Sequence, residues 1–143
     1  MWKLYALLSA LFAALTAILA KVGVKDVNSN LATAIRTCVI LLVTWGIVAF
    51  GGHLKEVRDL APRTVAFLVL SGIATGLSWL CYFKAIQIGD VSKVAPIDKL
   101  SVVLVIILSV IFLHEPLDWK TVAGGVLICA GSLVLALYAL FSP

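Results

Sequence analysis

Residues 64–85 read TVAFLVLSGIATGLSWLCYFKA, and this unbroken apolar stretch indicates the class of the fold. Its one charged residue, Lys84, stands next to its end. An α-helix rises about 1.5 Å per residue, so about 20 mostly apolar residues cross the hydrocarbon core of a bilayer. A strand of a membrane barrel is shorter, about 9–11 residues, and alternates apolar with polar positions. The stretch therefore predicts a transmembrane helix.

Four more apolar segments surround this one and are separated from it by short polar junctions. The first is longer than the apolar core of a signal peptide, about 7–15 residues, and so predicts a spanning helix. The fourth contains Pro96, Asp98 and Lys99, which predicts that its beginning is irregular or lines something polar. We predict an all-α integral membrane bundle of five transmembrane helices in a single domain, residues 1–143. The four other segments are 4–20, 31–50, about 92–113 and 119–141.

Two junctions carry local signals. Asn28, Ser29 and Asn30 offer an N-cap for the second helix, because their short polar side chains accept hydrogen bonds from the first free N–H groups of a helix. The second helix is expected to stop at Gly51-Gly52, and residues 53–63 form the one distinctly polar loop.

The composition supports a membrane protein. Of the 143 residues, 63% are hydrophobic and 13% are charged, about half the charged fraction of a soluble domain, which is near 25%. The eleven Lys and Arg residues are scattered among the junctions and form no basic stripe, so we expect no nucleic-acid partner. The expected location is the plasma or inner membrane, with the lipid bilayer as partner. Cys38, Cys81 and Cys129 show no metal-ligand spacing and are interpreted as small buried hydrophobic residues; no metal or cofactor is expected.

The positive charges give only a weak orientation signal. An odd number of spans places the two termini on opposite sides of the membrane. The N-terminal side holds five cationic residues and the other side four, which leaves open a preference for an inside N-terminus or insertion in both orientations. The first set is Lys3, Lys55, Arg58, Arg63 and Lys120, and the second is Lys21, Lys25, Lys84 and Lys93.

A stripe of hydroxyl groups follows one side of the third helix. Ser71, Thr75, Ser78 and Tyr82 are spaced by four, three and four residues, which places them on one helical face. We expect this face to point to the bundle interior, either to hydrogen-bond a neighbouring helix or to line a substrate path. The G-x-x-x-G of residues 72–76 lies beside it and predicts close helix packing.

Charged residues inside the segments are a second signal, because a charge at membrane depth faces a cavity or a partner. For Arg36 and Lys84, the alternative is a side chain that reaches back to the interface. Asp98 and Lys99 are adjacent and point about 100° apart on a helix, and both cannot face lipid, so the alternative of a lipid-facing position is harder to apply to this pair. Two roles are open for Asp98 and Lys99. They form a structural ion pair with Arg36 or Lys84, or they contact the substrate directly.

Signatures of catalysis are absent from the sequence. His53 and His114 fall in junctions, and neither a G-x-S-x-G motif nor a Gly-rich phosphate loop is present. We therefore do not expect an enzyme.

Residues 79–135, WLCYFKAIQIGDVSKVAPIDKLSVVLVIILSVIFLHEPLDWKTVAGGVLICAGSLVL, carry a family resemblance. An aromatic helix end runs into Lys84-Ala85, Val94-Ala95-Pro96 opens the fourth helix, residues 112–117 (FLHEPL) close it, and a Gly-containing fifth helix follows. This order resembles the second part of an EamA domain of the drug/metabolite transporter superfamily. Residues 12–37 resemble its short, single-domain members.

The resemblance implies a secondary transporter of small organic molecules. The usual member has two five-helix halves in inverted orientation, whereas this chain has one, so an antiparallel homodimer is implied. Glu115 matches a glutamate that we interpret as structural. The related small multidrug exporters use a glutamate in the first helix, which this chain lacks, and Asp98 is the one carboxylate placed to substitute for it.

We predict a permease protomer that moves a small metabolite or drug by alternating access. Arg36 and Lys99 are expected to meet an anionic or zwitterionic group, Trp79 and Tyr82 an apolar part, and Asp98 a proton or the lysine. The alternatives are a non-transporting membrane subunit that scaffolds a partner protein, and a channel. The predicted substrate-binding residues are Thr16, Arg36, Thr37, Ser71, Thr75, Ser78, Trp79, Tyr82, Asp98, Lys99 and Ser101.

Overall fold

The computed structural model describes residues 1–141, which contain helices and no strand. Five stretches are long and apolar enough to cross a membrane, and α4 and α5 together form the fourth, Val91–Leu113. The prediction of an all-α bundle with five spans is confirmed. The helices are α1 (Trp2–Gly23), α2 (Ser29–Phe50), a loop 3-10 helix (His53–Asp59), α3 (Pro62–Ile88), α4 (Val91–Asp98), α5 (Leu100–Leu113) and α6 (Trp119–Phe141).

Both ends of α2 follow from local sequence. The side-chain oxygen of Asn28 accepts from the backbone N–H of Asn30 at 2.9 Å and of Leu31 at 3.4 Å, which confirms the predicted N-cap. At the other end, Gly52 has a φ of 77°, a left-handed conformation that costs little only for glycine. A Cβ on Gly51 would lie 2.9 Å from Cδ2 of His53. The polar loop that follows is more regular than the sequence suggested, because it holds the 3-10 helix.

The fourth span is broken at Lys99, between α4 and α5. Pro96 has no N–H to donate to the preceding turn, which weakens the helix there. Its carbonyl oxygen accepts from the backbone N–H of Lys99 at 3.1 Å and from the hydroxyl of Ser132 in α6 at 2.8 Å. The predicted irregularity is confirmed, and the buried Ser132 hydroxyl stabilises it.

The chain divides into two compact units, residues 1–17 with 88–143 and residues 18–87. In the first, α6 packs against both α4 and α5. In the second, the buried apolar side chains Ala20, Val24, Phe83 and Ile86 form a small core. Most other large apolar side chains are exposed in the single chain, as expected where lipid replaces water as the solvent.

Candidate functional site

Arg36 is the most unusual polar group of the second unit. Its guanidinium carbon lies 4.3 Å from the centre of the Phe83 ring and 5.6 Å from that of Trp79. Phe83 is fully buried, with 1% of its surface exposed. The Nη1 atom of Arg36 is buried and has no hydrogen-bond partner in the described part of the chain. We call Arg36, Trp79 and Phe83 the Arg36 cluster.

Arg36 and Trp79 are among the site residues predicted from the sequence, whereas Phe83 is not. Phe83 follows Trp79 by four residues, so both lie on one face of α3. This spacing could have pointed to Phe83, yet an apolar ring in an apolar segment gives no distinctive signal by itself.

Next to the Arg36 cluster, polar bonds join the end of α3 to the α1–α2 turn. The side-chain amide of Gln87 donates to the carbonyl oxygens of Val24 at 3.0 Å and Val27 at 2.7 Å. The ammonium group of Lys21 donates to the carbonyl oxygen of Ile86 at 2.7 Å. These bonds satisfy two carbonyl groups of the turn and one in the last turn of α3, where a carbonyl has no partner within its own helix.

The hydroxyl stripe of α3 is largely exposed in the single chain. Ser71, Thr75 and Ser78 are exposed and Tyr82 is half-buried, so within one chain this stripe does not face a packed interior. The Thr75 hydroxyl donates to the carbonyl oxygen of Ser71 at 2.9 Å. A Cβ built on either glycine of residues 72–76 meets nothing within 4 Å, so the expected close packing at the G-x-x-x-G is not made inside the chain.

In the first unit, Asp98 and Lys99 flank the helix break. The Lys99 ammonium lies 3.6 Å from the Asp98 carboxylate, and both side chains are exposed. Asp98 follows Val91 by seven residues, which places it about 10 Å along the span. Within the five spans, all in residues 1–139, Asp98 is the one carboxylate. At the start of the same span Lys93 pairs with Asp90 at 3.3 Å.

Three predicted site residues have ordinary surroundings. Thr16 is half-buried in α1, and Ser101 is exposed in the first turn of α5. The Thr37 hydroxyl donates to the carbonyl oxygen of Thr33 at 2.8 Å, a bond within α2. The structure brings Arg36 and Trp79 together in one unit, and Asp98 and Lys99 together in the other.

The interpretation of the cysteines as buried residues needs a correction. All three are free, but Cys38 and Cys81 are exposed and Cys129 is half-buried. Their apolar helix faces are turned outward, because a membrane helix exposes its hydrophobic residues to lipid. Over residues 1–141 no group of three His, Cys, Asp or Glu side chains is arranged to hold a metal ion.

Comparison with known proteins agrees with the resemblance. A family described as EamA-like transporter matches residues 1–137. An uncharacterized transporter encoded in the cobO 3′ region of a Sinorhizobium species is 53% identical over 137 residues, 96% of this chain and 97% of the relative. The uncharacterized transporter YvbV of Bacillus subtilis (strain 168) is 40% identical over 68 residues, 48% of this chain and 22% of the relative.

A third relative has a more specific name. It is the probable 4-amino-4-deoxy-L-arabinose-phosphoundecaprenol flippase subunit ArnE of Pseudomonas aeruginosa (strain UCBPP-PA14), 33% identical over 91 residues, 64% of this chain and 74% of the relative. No solved structure gives a significant match.

Proposed function

We propose a function for this protein from its family: the chain belongs to the EamA-like transporter family, whose description matches residues 1–137. It is a multi-pass integral membrane protein with five spans. We propose that it is a permease protomer of the plasma or inner membrane, not an enzyme, and that it moves a small organic metabolite or drug by alternating access. The family match over almost the whole chain carries this proposal.

We further propose that two copies pair in antiparallel orientation. The 68 residues shared with YvbV make up 48% of this chain and 22% of that relative, so the relative is about twice as long. Two copies of this chain would supply a comparable number of helices. The nearly balanced loop charges and the open G-x-x-x-G face of α3 support such a pair. Oppositely oriented halves around one site are the architecture on which alternating access is built.

The substrate path is proposed to follow the polar groups predicted from the sequence. The Arg36 cluster and the broken fourth span support this assignment, since interrupted helices near the bilayer midplane form binding sites in many transporters. Lipid gives hydroxyl groups no hydrogen-bond partner, so the exposed stripe of α3 is proposed to face water or a second copy. The single domain 1–143 remains a prediction.

Cysteine labelling tests the path without knowledge of the substrate. In a background with Cys38, Cys81 and Cys129 replaced by Ala, single cysteines are placed at Ser71, Thr75 or Ser78. A membrane-impermeant maleimide should label them faster than matched cysteines at Leu70 and Leu77, which are exposed on α3 at similar depth. Equal, slow labelling of both sets would contradict a water-lined path and leave the hydroxyl groups a packing role.

The orientation test uses a reporter that is active on one side of the membrane, fused to either terminus. Insertion in both orientations would give activity for both fusions. Removing Lys55 and Arg58 should then shift the population one way, and removing Lys21 and Lys25 the other way. A single orientation that these changes do not affect would exclude the antiparallel homodimer.

A second candidate function, a membrane subunit that works only with a partner chain, has one specific observation in its favour. ArnE, which matches 64% of this chain, is named as a subunit of a flippase. Purification of this protein in a fixed ratio with a different membrane protein, together with slow labelling of the α3 cysteines, would favour the subunit over the homodimeric permease.

A further inference from the structure

Arg36 lies inside α2, and its side chain is half-buried with the Nη1 atom enclosed. It follows Ser29, the first residue of α2, by seven residues, about 10 Å along the helix. Phe83, the ring nearest to it, precedes the last residue of α3 by five residues, about 7.5 Å along that helix. A side chain that reaches back to the interface ends in water or among headgroups. Nη1 instead is buried beside the buried Phe83 ring, so this part of the guanidinium does not reach water in the single chain.

The two aromatic rings stabilise the positive charge but leave the buried Nη1 atom without an acceptor. A ring face attracts a cation electrostatically, and Arg is the residue that most often uses it. A guanidinium nevertheless carries five N–H donors, and a buried donor without an acceptor is unfavourable. The rings therefore account for the position of the charge and not for the unpaired Nη1.

Nearby hydroxyl groups do not supply that acceptor. The Thr33 hydroxyl donates to the carbonyl oxygen of Ser29, and the Thr37 hydroxyl donates to that of Thr33, both at 2.8 Å. These bonds hold the two side chains against their own helix, and over residues 1–141 neither they nor any other group accepts from Nη1. A group from outside the chain is the remaining way to satisfy it.

We propose that the Arg36 cluster is an anion subsite, in which Arg36 binds a carboxylate or phosphate group and Trp79 contacts the apolar part of the same molecule. The inference rests on the proposed function in one respect, that the bound molecule is the transported substrate. The planar fork of a guanidinium matches two oxygens of a carboxylate or phosphate. A cationic molecule would meet like charge at the same position, so the substrate class is an organic anion.

Tryptophan fluorescence reports this binding directly. The variant Trp2→Phe, Trp45→Phe, Trp119→Phe keeps Trp79 as the one tryptophan, 5.6 Å from the Arg36 guanidinium carbon. The protein is placed in phosphatidylcholine nanodiscs and titrated with phenyl phosphate, phenylacetate, benzyl alcohol and phenethylammonium. We expect the two anions, and not the neutral or cationic probe, to change the fluorescence in a saturable way.

Substitution of Arg36 should selectively weaken the binding of the two anionic probes. Arg36→Gln is expected to lower the affinity for phenyl phosphate about tenfold or more, the size of a hydrogen bond to a charged group. Arg36→Lys should give an intermediate affinity, because it keeps the charge and loses the fork. The matched control, Lys84→Gln, removes an exposed cation from the same end of α3 and should leave the affinity unchanged. Size-exclusion profiles and circular dichroism verify that each variant is folded.

Three results would overturn the anion subsite: no response to either anion from the folded protein, equal binding of phenethylammonium, or unchanged anion affinity in Arg36→Gln. The comparison of probes needs no substitution at Arg36, so it remains decisive even where that variant does not fold. Adding phosphatidic acid to the nanodisc separates two sources of the anionic group. If phosphatidic acid abolishes phenyl phosphate binding, the natural ligand of the subsite is a lipid headgroup. If phenyl phosphate binding is unchanged, the natural ligand is a water-soluble anion.

The two proposals fail in distinguishable ways. Fast labelling of the α3 cysteines without selective anion binding would retain the permease and overturn the anion subsite. Arg36-dependent anion binding without such labelling would retain the subsite and overturn the water-lined transport path.

Discussion

The strongest structural prediction concerns Gln87, whose side-chain amide joins α3 to the α1–α2 turn. Gln87→Leu keeps a similar volume and removes both N–H donors. Two hydrogen bonds of about 1 kcal/mol each give an upper value of about 2 kcal/mol. The bond to Val27 is exposed and that to Val24 partly buried, so water replaces part of the loss. We expect the free energy of unfolding to fall by about 1–2 kcal/mol.

Reversible unfolding in mixed micelles, followed by circular dichroism as the fraction of SDS rises, measures this change. Lys84→Met is the matched control. It removes the exposed Lys84 ammonium that donates to the Gln87 side-chain oxygen at 3.3 Å, but it leaves both amide bonds intact and should cost less than about 0.5 kcal/mol. Equal stability of Gln87→Leu and the wild type would refute the reasoning, since it would mean that the amide bonds do not hold the turn.

Three further predictions concern helix ends and the polar loop. Asn28→Ala should lower the free energy of unfolding by about 1 kcal/mol in the same assay, and Asn28→Ser by much less, because serine also caps a helix. Equal losses of stability in the two variants would exclude the cap as the cause. Gly52→Ala should lower the free energy of unfolding by roughly 1–2 kcal/mol, since the φ of 77° at this position is unfavourable for a residue with a Cβ. The control Gly23→Ala, which has open space at the Cβ and no positive φ, should not show this loss. A hydrogen bond of 2.7 Å to the Glu56 carboxylate raises the pKa of His53 above its usual value near 6.5. The stabilisation of the fold by this pair is therefore complete below the pKa that His53 has in the unfolded chain. It is lost as the pH rises through the pKa that His53 has in the folded protein. NMR titration of His53 should show the pKa fall in Glu56→Gln, and an unchanged pKa would contradict the pair.

Several elements of the fold were predictable because their causes are local. The apolar run of residues 64–85 is too long and too continuous for a barrel strand, so it satisfies its backbone in lipid as a helix, whose hydrogen bonds all lie within the segment. Pro96 weakens its helix through its own missing N–H, and Asn28 caps α2 through atoms two and three residues away. Such signals lie within one turn of the chain, so the sequence contains them in readable form.

The candidate site was only half predictable. A charge inside an apolar segment marks Arg36 from the sequence alone, since such a residue is costly at membrane depth. The sequence does not show what surrounds it, because Phe83 stands 47 positions further along the chain and resembles any other apolar residue. The hydroxyl stripe is recognisable by its spacing, but its spacing does not show what covers it, and in the single chain Ser71, Thr75 and Ser78 are exposed.

The sequence by itself determined the number of spans, their approximate limits, the irregular beginning of the fourth span and the family, because hydrophobicity and backbone chemistry act over a few residues. Only the tertiary structure decided which helix faces meet. It placed Phe83 and Trp79 against Arg36, directed Gln87 to the α1–α2 turn and left three hydroxyl groups of α3 exposed in the single chain. The physical reason is that lipid and helix interior are both apolar, so hydrophobicity does not distinguish the face that packs from the face that meets lipid.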